Sequence, residues 1–386
     1  LLGPAALLLR PVQFLVYLLV GLLPRDPEWW LFGSWSGHRE ADSPRAMFHY
    51  VNEHHSREVR PTWITADRSI ESRMRAEGFD CRYRWSPSGI WAAVRAGVYV
   101  FDGLTRDINH WLSNGAMLVN LRHGTGVKKV ERAIDTPSHR LYRLFHGHWW
   151  ERLFWGLAIP WHLPKPDMSI ASSRLHAKFA RESMQIPISD VHVTGLPRHD
   201  IMFEPDRLSY LTASERAARN ALVEDPKPAF LFLPTFRDLG GSLDWAALNE
   251  AALGADVSIH VKLHIVDENR GMAGPEDLDP YPALHWVPPD ADPVTLSPHA
   301  TGLISDYSRA SFDMMLLGKP VIYFLPDHDD FLAGRSLHLP LEEVSPGPDC
   351  RDHSELSTAL RPHRLGRHDA FAEGYDRVFD LFFDHR

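Results

Sequence analysis

The sequence has little cysteine, no surplus of positive charge and no apolar run of membrane-spanning length. Cys81 and Cys350 are the only cysteines in 386 residues, too few and too far apart for a disulfide framework or a thiolate zinc site. A reducing compartment fits that usage. The formal charge of -9 excludes a protein that holds nucleic acid by broad phosphate neutralisation, so any phosphate recognition must be local. The apolar run Val12–Leu23 is interrupted by Gln13 and Gly21 and flanked by Arg10 and Arg25. As a helix it would reach only about 18 Å, against the roughly 30 Å of a bilayer core. Leu22-Leu23-Pro24-Arg25 offers no small-residue cleavage site, which argues against a secretory signal. Because the run has no polar face, residues 1–23 are expected to form a membrane-associating, interfacial segment rather than a core helix. The chain opens on Leu1 rather than Met, so the native start is expected upstream.

What is present points to a large folded enzyme. Apolar residues make up 44 % and charged residues 24 %, and the length suggests two domains. Short β-rich runs occur at Trp30–Phe32, Thr62–Thr65, Val98–Phe101, Met117–Leu121, Met168–Ala171 and Val191–Thr194. Helical patterns such as Ser43–His55 and Ser88–Ala96 lie between them. A second set follows at Ala229–Leu233, Val257–Lys262, Gly302–Ser305 and Val321–Phe324. This alternation predicts an α/β protein of two doubly wound, Rossmann-like domains, 24–204 and 205–386, facing a central cleft. The polar, Pro-punctuated stretch Glu204–Pro228 marks the boundary. In such sheets ligands bind beyond the carboxyl ends of the strands, so polar residues that directly follow strands become the candidates.

Directly after Met117–Leu121 comes Arg122-His123-Gly-Thr-Gly-Val-Lys128-Lys129. Histidine is suited to take a proton near neutral pH, while Arg122, Lys128 and Lys129 supply charge for phosphate. The plain alternative is a hydrogen-bonded loop histidine beside surface lysines. Four further segments end strands with polar or cationic groups: Gly195-Leu-Pro-Arg198-His-Asp200, Pro234-Thr-Phe-Arg237-Asp238, Lys262-Leu-His264 and Ser305-Asp306-Tyr-Ser308. The last leads into a helix in which Ser308 and Ser311 could donate to a diphosphate at its N-terminus. Simple N-capping by Asp306 or Ser308 explains the same residues equally well.

Taken together, in order and spacing, these segments with Gly318-Lys-Pro320 resemble the CDP-glycerol glycerophosphotransferase family of teichoic-acid and capsule synthesis, over roughly Trp30 to Pro348. Asp107-Ile-Asn109, Gly115-Ala116 and Pro346-Gly-Pro348 also match. The resemblance implies a glycosyltransferase-B-type fold, CDP-glycerol as donor and an undecaprenyl-diphosphate-linked disaccharide as acceptor. It implies that His123 is the catalytic base, with His264 a second catalytic histidine. Arg198, Arg237, Lys262, Asp306, Ser308 and Ser311 would line the donor side, and Arg122, Thr125, Lys128 and Lys129 the acceptor side. Two departures stand out: Gly126-Val127 where the family usually has Pro-Leu, and Ile265 where it has Pro.

The expected reaction is attack of an acceptor hydroxyl on the phosphorus bonded to glycerol, with CMP leaving. This chemistry requires no metal, although Mg²⁺ often accompanies phosphoryl transfer. His146-Gly-His148 has ligand side chains but no carboxylate or cysteine beside it. The stretch 139–166 combines Trp149, Trp150, Trp155 and Trp161 with Arg140, Arg143 and Arg152. As one helix it would place Leu141, Phe145, Trp149 and Leu153 on a single face, suited either to a lipid headgroup boundary or to packing on the domain core. The expectation is a peripheral enzyme on the cytoplasmic face of the membrane, with no nucleic-acid partner. Single transfer of the primase kind is favoured over a processive polymerase, a nucleotide-sugar enzyme of the same fold or a non-catalytic scaffold.

Overall fold

Strands buried on both faces read as continuous apolar runs, and the sequence Ala229–Leu233, with every residue buried, is such a strand. The computed structural model describes residues 8–204, 211–235, 243–263, 274–306, 308–326, 337–367 and 369–384. Two units divide the chain. One takes Leu1–His123, Lys128–Asp200 and Asp384–Arg386; the other takes Gly124–Val127 and Ile201–Phe383.

The first unit carries β1 (Asp26–Gly33), β2 (Arg60–Thr65), β3 (Cys81–Tyr83), β4 (Ala96–Phe101), β5 (Met117–Asn120), β6 (Met168–Ala171) and β7 (Val191–Val193). They form one parallel sheet in the order β3-β2-β1-β4-β5-β6-β7. Leu31, Ile64 and Tyr99 fill one face of it. Phe32, Phe48, Trp63 and Val100 fill the other. The second unit carries β8 (Ala229–Leu233), β9 (Ser258–Val261), β10 (Leu284–Trp286), β11 (Gly302–Ser305), β12 (Val321–Phe324) and β13 (Asp349–Cys350). Its parallel sheet runs β10-β9-β8-β11-β12-β13. The α/β, doubly wound class expected from the alternation is thus present in both units. The strands β3, β10 and β13 lie at sheet edges or next to the chain's last helices and are too short to show a pattern.

The N-terminal run forms the helix Arg10–Val20, about 16 Å long. Its inner side is docked: Tyr17 stacks on His110, Phe14 meets Trp111 edge-on, and the buried Arg10 lies over the rings of Trp111 and Trp161. Leu8, Val12, Leu15, Leu19 and Leu22 recur at helical spacing on the outer side and are exposed, Leu22 by 81 %. It is therefore not a core helix. Among the described residues no helix is long and apolar enough to cross a membrane.

The Trp-rich stretch departs from the expected single helix. Two helices, Arg140–His146 and Trp149–Ala158, are separated by Gly147 in an extended conformation. A Cβ at Gly147 would lie 2.5 Å from the Arg143 carbonyl oxygen, and the Glu151 carboxylate caps the second helix by accepting from the His148 N–H at 3.0 Å. Trp149, Trp150, Leu153 and Phe154 are exposed on that second helix, Trp149 by 76 %.

One side chain ties the N-terminal segment to the sheet. The Arg25 guanidinium donates to the carbonyl oxygens of Ala93, Ala96, Leu112 and Asn114 at 2.5–2.9 Å. These oxygens end the helix Pro87–Arg95 and the turn at His110–Leu112, where partial negative charge accumulates. Replacing Arg25 by Lys leaves a point charge that cannot span the four oxygens. Chemical denaturation of Arg25→Lys is expected to show a loss of about 3 kcal/mol or more.

Candidate active site

At a topological switch point two neighbouring strands send their chains to opposite faces of a sheet, and the loops there diverge. The first sheet switches between β1 and β4, the second between β8 and β11. Most of the residues singled out from the sequence that fall in described regions lie on loops at the carboxyl ends of these strands and their neighbours.

In the first unit the chain leaves β1 through Trp35, Ser36 and Gly37, all at positive φ. Gly37 is required there, because a Cβ would collide with the Arg84 guanidinium and reach the Ala66 amide at 3.0 Å. The chain leaves β4 through Asp102 and a turn at Thr105–Asp107. The Asp107 carboxylate joins the two loops. It accepts from the N–H of Ser36 at 2.7 Å and from those of Gly103 and Leu104 at 2.9 Å. Burial pushes the neighbouring Asp102 carboxyl well above the usual range, and the charges of Asp107 and Asp42 push the same way. Burial raises Asp107 as well, but the backbone N–H groups of Ser36, Leu104 and Gly103 oppose it. The three backbone donors thus favour the charged form of Asp107 over that of Asp102.

The loop after β5 begins with Arg122, at positive φ, its N–H donating to Asn120 Oδ1 at 3.0 Å. His123 follows, half-buried, with Nδ1 3.0 Å from the Asp102 carbonyl oxygen. A ring nitrogen facing a carbonyl carries the proton, which leaves the lone pair on Nε2. Thr125 is buried, and Gly126 leaves the space taken by the Arg309 stem, 2.6 Å from where a Cβ would be. Lys128 is half-buried, and Lys129 is paired with Asp135. Arg198, in the first turn of Pro197–Phe203, donates from Nη1 to both oxygens of the buried Asp42 at 2.9 and 3.0 Å. Its counter-charge in this structure is thus a protein carboxylate.

In the second unit Asp306 follows β11 and accepts from both the N–H and the Oγ1 of Thr235, at 2.8 and 2.6 Å, across the switch point. Lys262, buried after β9, donates to the Pro289 carbonyl oxygen at 2.8 Å. Ser311 donates to the Ser308 carbonyl oxygen at 2.8 Å inside the short helix Ala310–Leu316. That helix starts from Arg309 without a side-chain cap, so neither Asp306 nor Ser308 occupies its N-cap position. Arg237 and His264 lie outside the described residues. His146 turns Nε2 toward the Arg132 carbonyl oxygen at 3.0 Å, in keeping with a structural rather than a ligating role.

Asp42 and Asp102 were not legible as site residues, although Asp102-Gly103 directly follows the apolar run Val98–Phe101 and obeys the strand-end rule. Asp42 carries no such signal, because its partner lies 156 residues away.

The family model for CDP-glycerol:poly(glycerophosphate) glycerophosphotransferase matches residues 15–385. The chain belongs to this family. It is 24 % identical over 398 residues to the teichoic acid poly(glycerol phosphate) polymerase of Bacillus spizizenii, covering 97 % of this chain and 93 % of that one. To the teichoic acid glycerol-phosphate transferase of Staphylococcus aureus it is 21 % identical over 349 residues, covering 86 % and 82 %. The solved structure of the wall teichoic acid polymerase TagF superposes with a TM-score of 0.72 at 20 % identity, over 97 % of this chain and 89 % of that one. That likeness bears out the two-sheet α/β fold expected from the family resemblance.

The raised Asp102 carboxyl near His123 has a pH signature in this glycerophosphotransferase. A carboxyl whose folded pKa is raised holds a proton that the unfolded chain gives up, so it lowers stability as pH rises above the ordinary carboxylate range. Asp102→Asn keeps the carbonyl that orients His123 and removes the titration. Urea midpoints should show the variant gaining on the parent as pH is raised from about 4, the ordinary carboxylate value, toward neutrality. A constant gap would locate the proton elsewhere.

Proposed function

We propose that the protein transfers glycerol phosphate from CDP-glycerol to a hydroxyl of a lipid-linked disaccharide, such as one on undecaprenyl diphosphate, at a membrane surface. The observation that carries this reading is the family match across 15–385. The acceptor oxygen bonds to the glycerol-bearing phosphorus, the diphosphate P–O bond breaks, and CMP leaves with the bridging oxygen. The proton of the attacking hydroxyl goes to His123 Nε2, the nitrogen that holds the lone pair when Nδ1–H donates to Asp102. Arg122, Thr125, Lys128 and Lys129 serve the acceptor side. Donor binding falls to Lys262, Asp306, Ser308 and Ser311, together with Arg237 and His264. Arg198 joins them if the donor competes with Asp42 for its guanidinium, and otherwise holds the loop at Asp42 in place.

Repeated addition is the second reading, favoured by the near-full-length match to a polymerase. The comparable match to a glycerol-phosphate transferase keeps single transfer in contention. Mass analysis of the product from CDP-glycerol and a short-chain lipid-linked disaccharide separates one added unit from many. Release of UDP from UDP-sugars in place of CMP from CDP-glycerol would replace the whole reading. His123→Ala is expected to lower CMP release by about 10²–10⁴-fold with its thermal midpoint little changed. Near-normal turnover would remove His123 from the base role.

The exposed faces of Arg10–Val20 and Trp149–Ala158 support a peripheral membrane position, since both belong to one unit and Arg10 reaches Trp161 just after the second helix. Leu15→Glu combined with Leu19→Glu alters only exposed side chains. It should release the protein from anionic vesicles, and lower turnover on a long-chain acceptor in vesicles while sparing a soluble short-chain one. Continued sedimentation with vesicles would move the anchor away from this helix.

A further inference from the structure

His260 on β9 and His285 on β10 are register partners in neighbouring parallel strands, so both side chains leave the same face of the sheet. Their ring centroids lie 4.9 Å apart. Asp225, in the turn between the helix Ala213–Val223 and β8, brings a carboxylate to them. Its Oδ1 accepts from the Lys227 N–H at 2.9 Å and from Ser258 Oγ at 3.0 Å. That leaves Oδ2 directed at the histidines, 3.0 Å from His260 Nε2 and 3.8 Å from His285 Nε2. Three ligand atoms, one from each residue, lie within 4.8 Å of one another.

Hydrogen bonding alone does not account for this arrangement. One carboxylate oxygen satisfies His260, while His285 at 3.8 Å is beyond hydrogen-bond range yet aimed at the same atom. A tetrahedral ion with bonds of about 2.0–2.1 Å holds its ligand atoms about 3.3 Å apart, between the two distances observed. Asp225 and His260 side chains are buried, and His285 is 45 % exposed at a cavity of about 410 Å³ that Glu224, Lys227 and Trp286 also line. Imidazole and carboxylate together suit zinc and its first-row neighbours better than Mg²⁺ or Ca²⁺.

We infer that Asp225, His260 and His285 form a binding site for Zn²⁺ or a similar first-row divalent ion, with a fourth position open to the cavity. The site belongs to the second unit alone. Asp225 precedes β8, whereas Lys262 and Asp306 follow the carboxyl ends of β9 and β11, so the ion would sit away from the switch point. Its effect is mechanical: it fastens the short edge strand β10 and the turn before β8 to β9.

The test uses the full chain, stripped of metal by a chelator and titrated with Zn²⁺ by calorimetry and with Co²⁺ by visible absorption. The expected result is a Zn²⁺ site with a stoichiometry of about one per chain that disappears in His285→Ala, with affinity falling at least about 100-fold. A hundredfold excess of Zn²⁺ over its Kd should raise the thermal midpoint by about 5–10 °C in the parent and not in the variant. His285 is half-exposed, so the variant should fold. Asp225→Asn, nearly isosteric, provides a second ligand deletion and should also lose the tetrahedral Co²⁺ bands. Equal Zn²⁺ affinity in parent and His285→Ala, or no binding at about 100 μM, would overturn the site. CMP release by metal-free His285→Ala should match the parent, and its loss would overturn the mechanical role.

Discussion

Where two parallel strands part at a switch point, the loops that follow them turn to opposite faces and leave a gap that no backbone ladder closes. In both units a carboxylate closes it. Asp107, carried past β4, accepts the Ser36 N–H that follows β1. Asp306, carried past β11, accepts the Thr235 N–H that follows β8. In each case the carboxylate accepts from donors outside the strand ladder, backbone N–H groups at Asp107 and a backbone N–H with a hydroxyl at Asp306, a position otherwise suited to an anionic ligand. The protein thus fixes its own loops with the same kind of interaction it would use on a phosphate.

In the first unit this arrangement governs the histidine as well. Asp107 holds the Gly103 and Leu104 amides, their turn sets the Asp102 carbonyl, and that carbonyl selects the tautomer of His123. Burial and the neighbouring carboxylates push Asp102 toward its neutral form.

The longer strands, and the three-residue Val191–Val193, show in the sequence as short runs rich in apolar and β-branched residues. Cys81–Tyr83, Leu284–Trp286 and Asp349–Cys350 carry no readable period over two or three residues. The position of His123 followed from its place after Met117–Asn120 and from the family pattern. Its tautomer did not, since Asp102 is contributed by another strand. Arg198 illustrates the limit: a cation after a strand looks the same whether it meets a phosphate or a carboxylate far off in sequence, and only the fold reveals Asp42. The Trp-rich helix failed at Gly147, where a single glycine outweighed a stripe of aromatic residues. His260 and His285 could not be paired without the register of β9 and β10.

The segment Gly124–Val127 belongs to the second unit, although the chain on either side of it belongs to the first. Its neighbours are Arg309, against Gly126, and His338, whose N–H donates to the Val127 carbonyl oxygen at 2.7 Å. During synthesis Val127 leaves the ribosome long before either. At the usual speed of elongation the wait for Arg309 is roughly 10–40 s. Throughout that interval Gly124–Val127, the residues directly after His123, lack both of these neighbours, however well the first sheet has formed. The backbone beside His123 would therefore settle with the second sheet rather than the first.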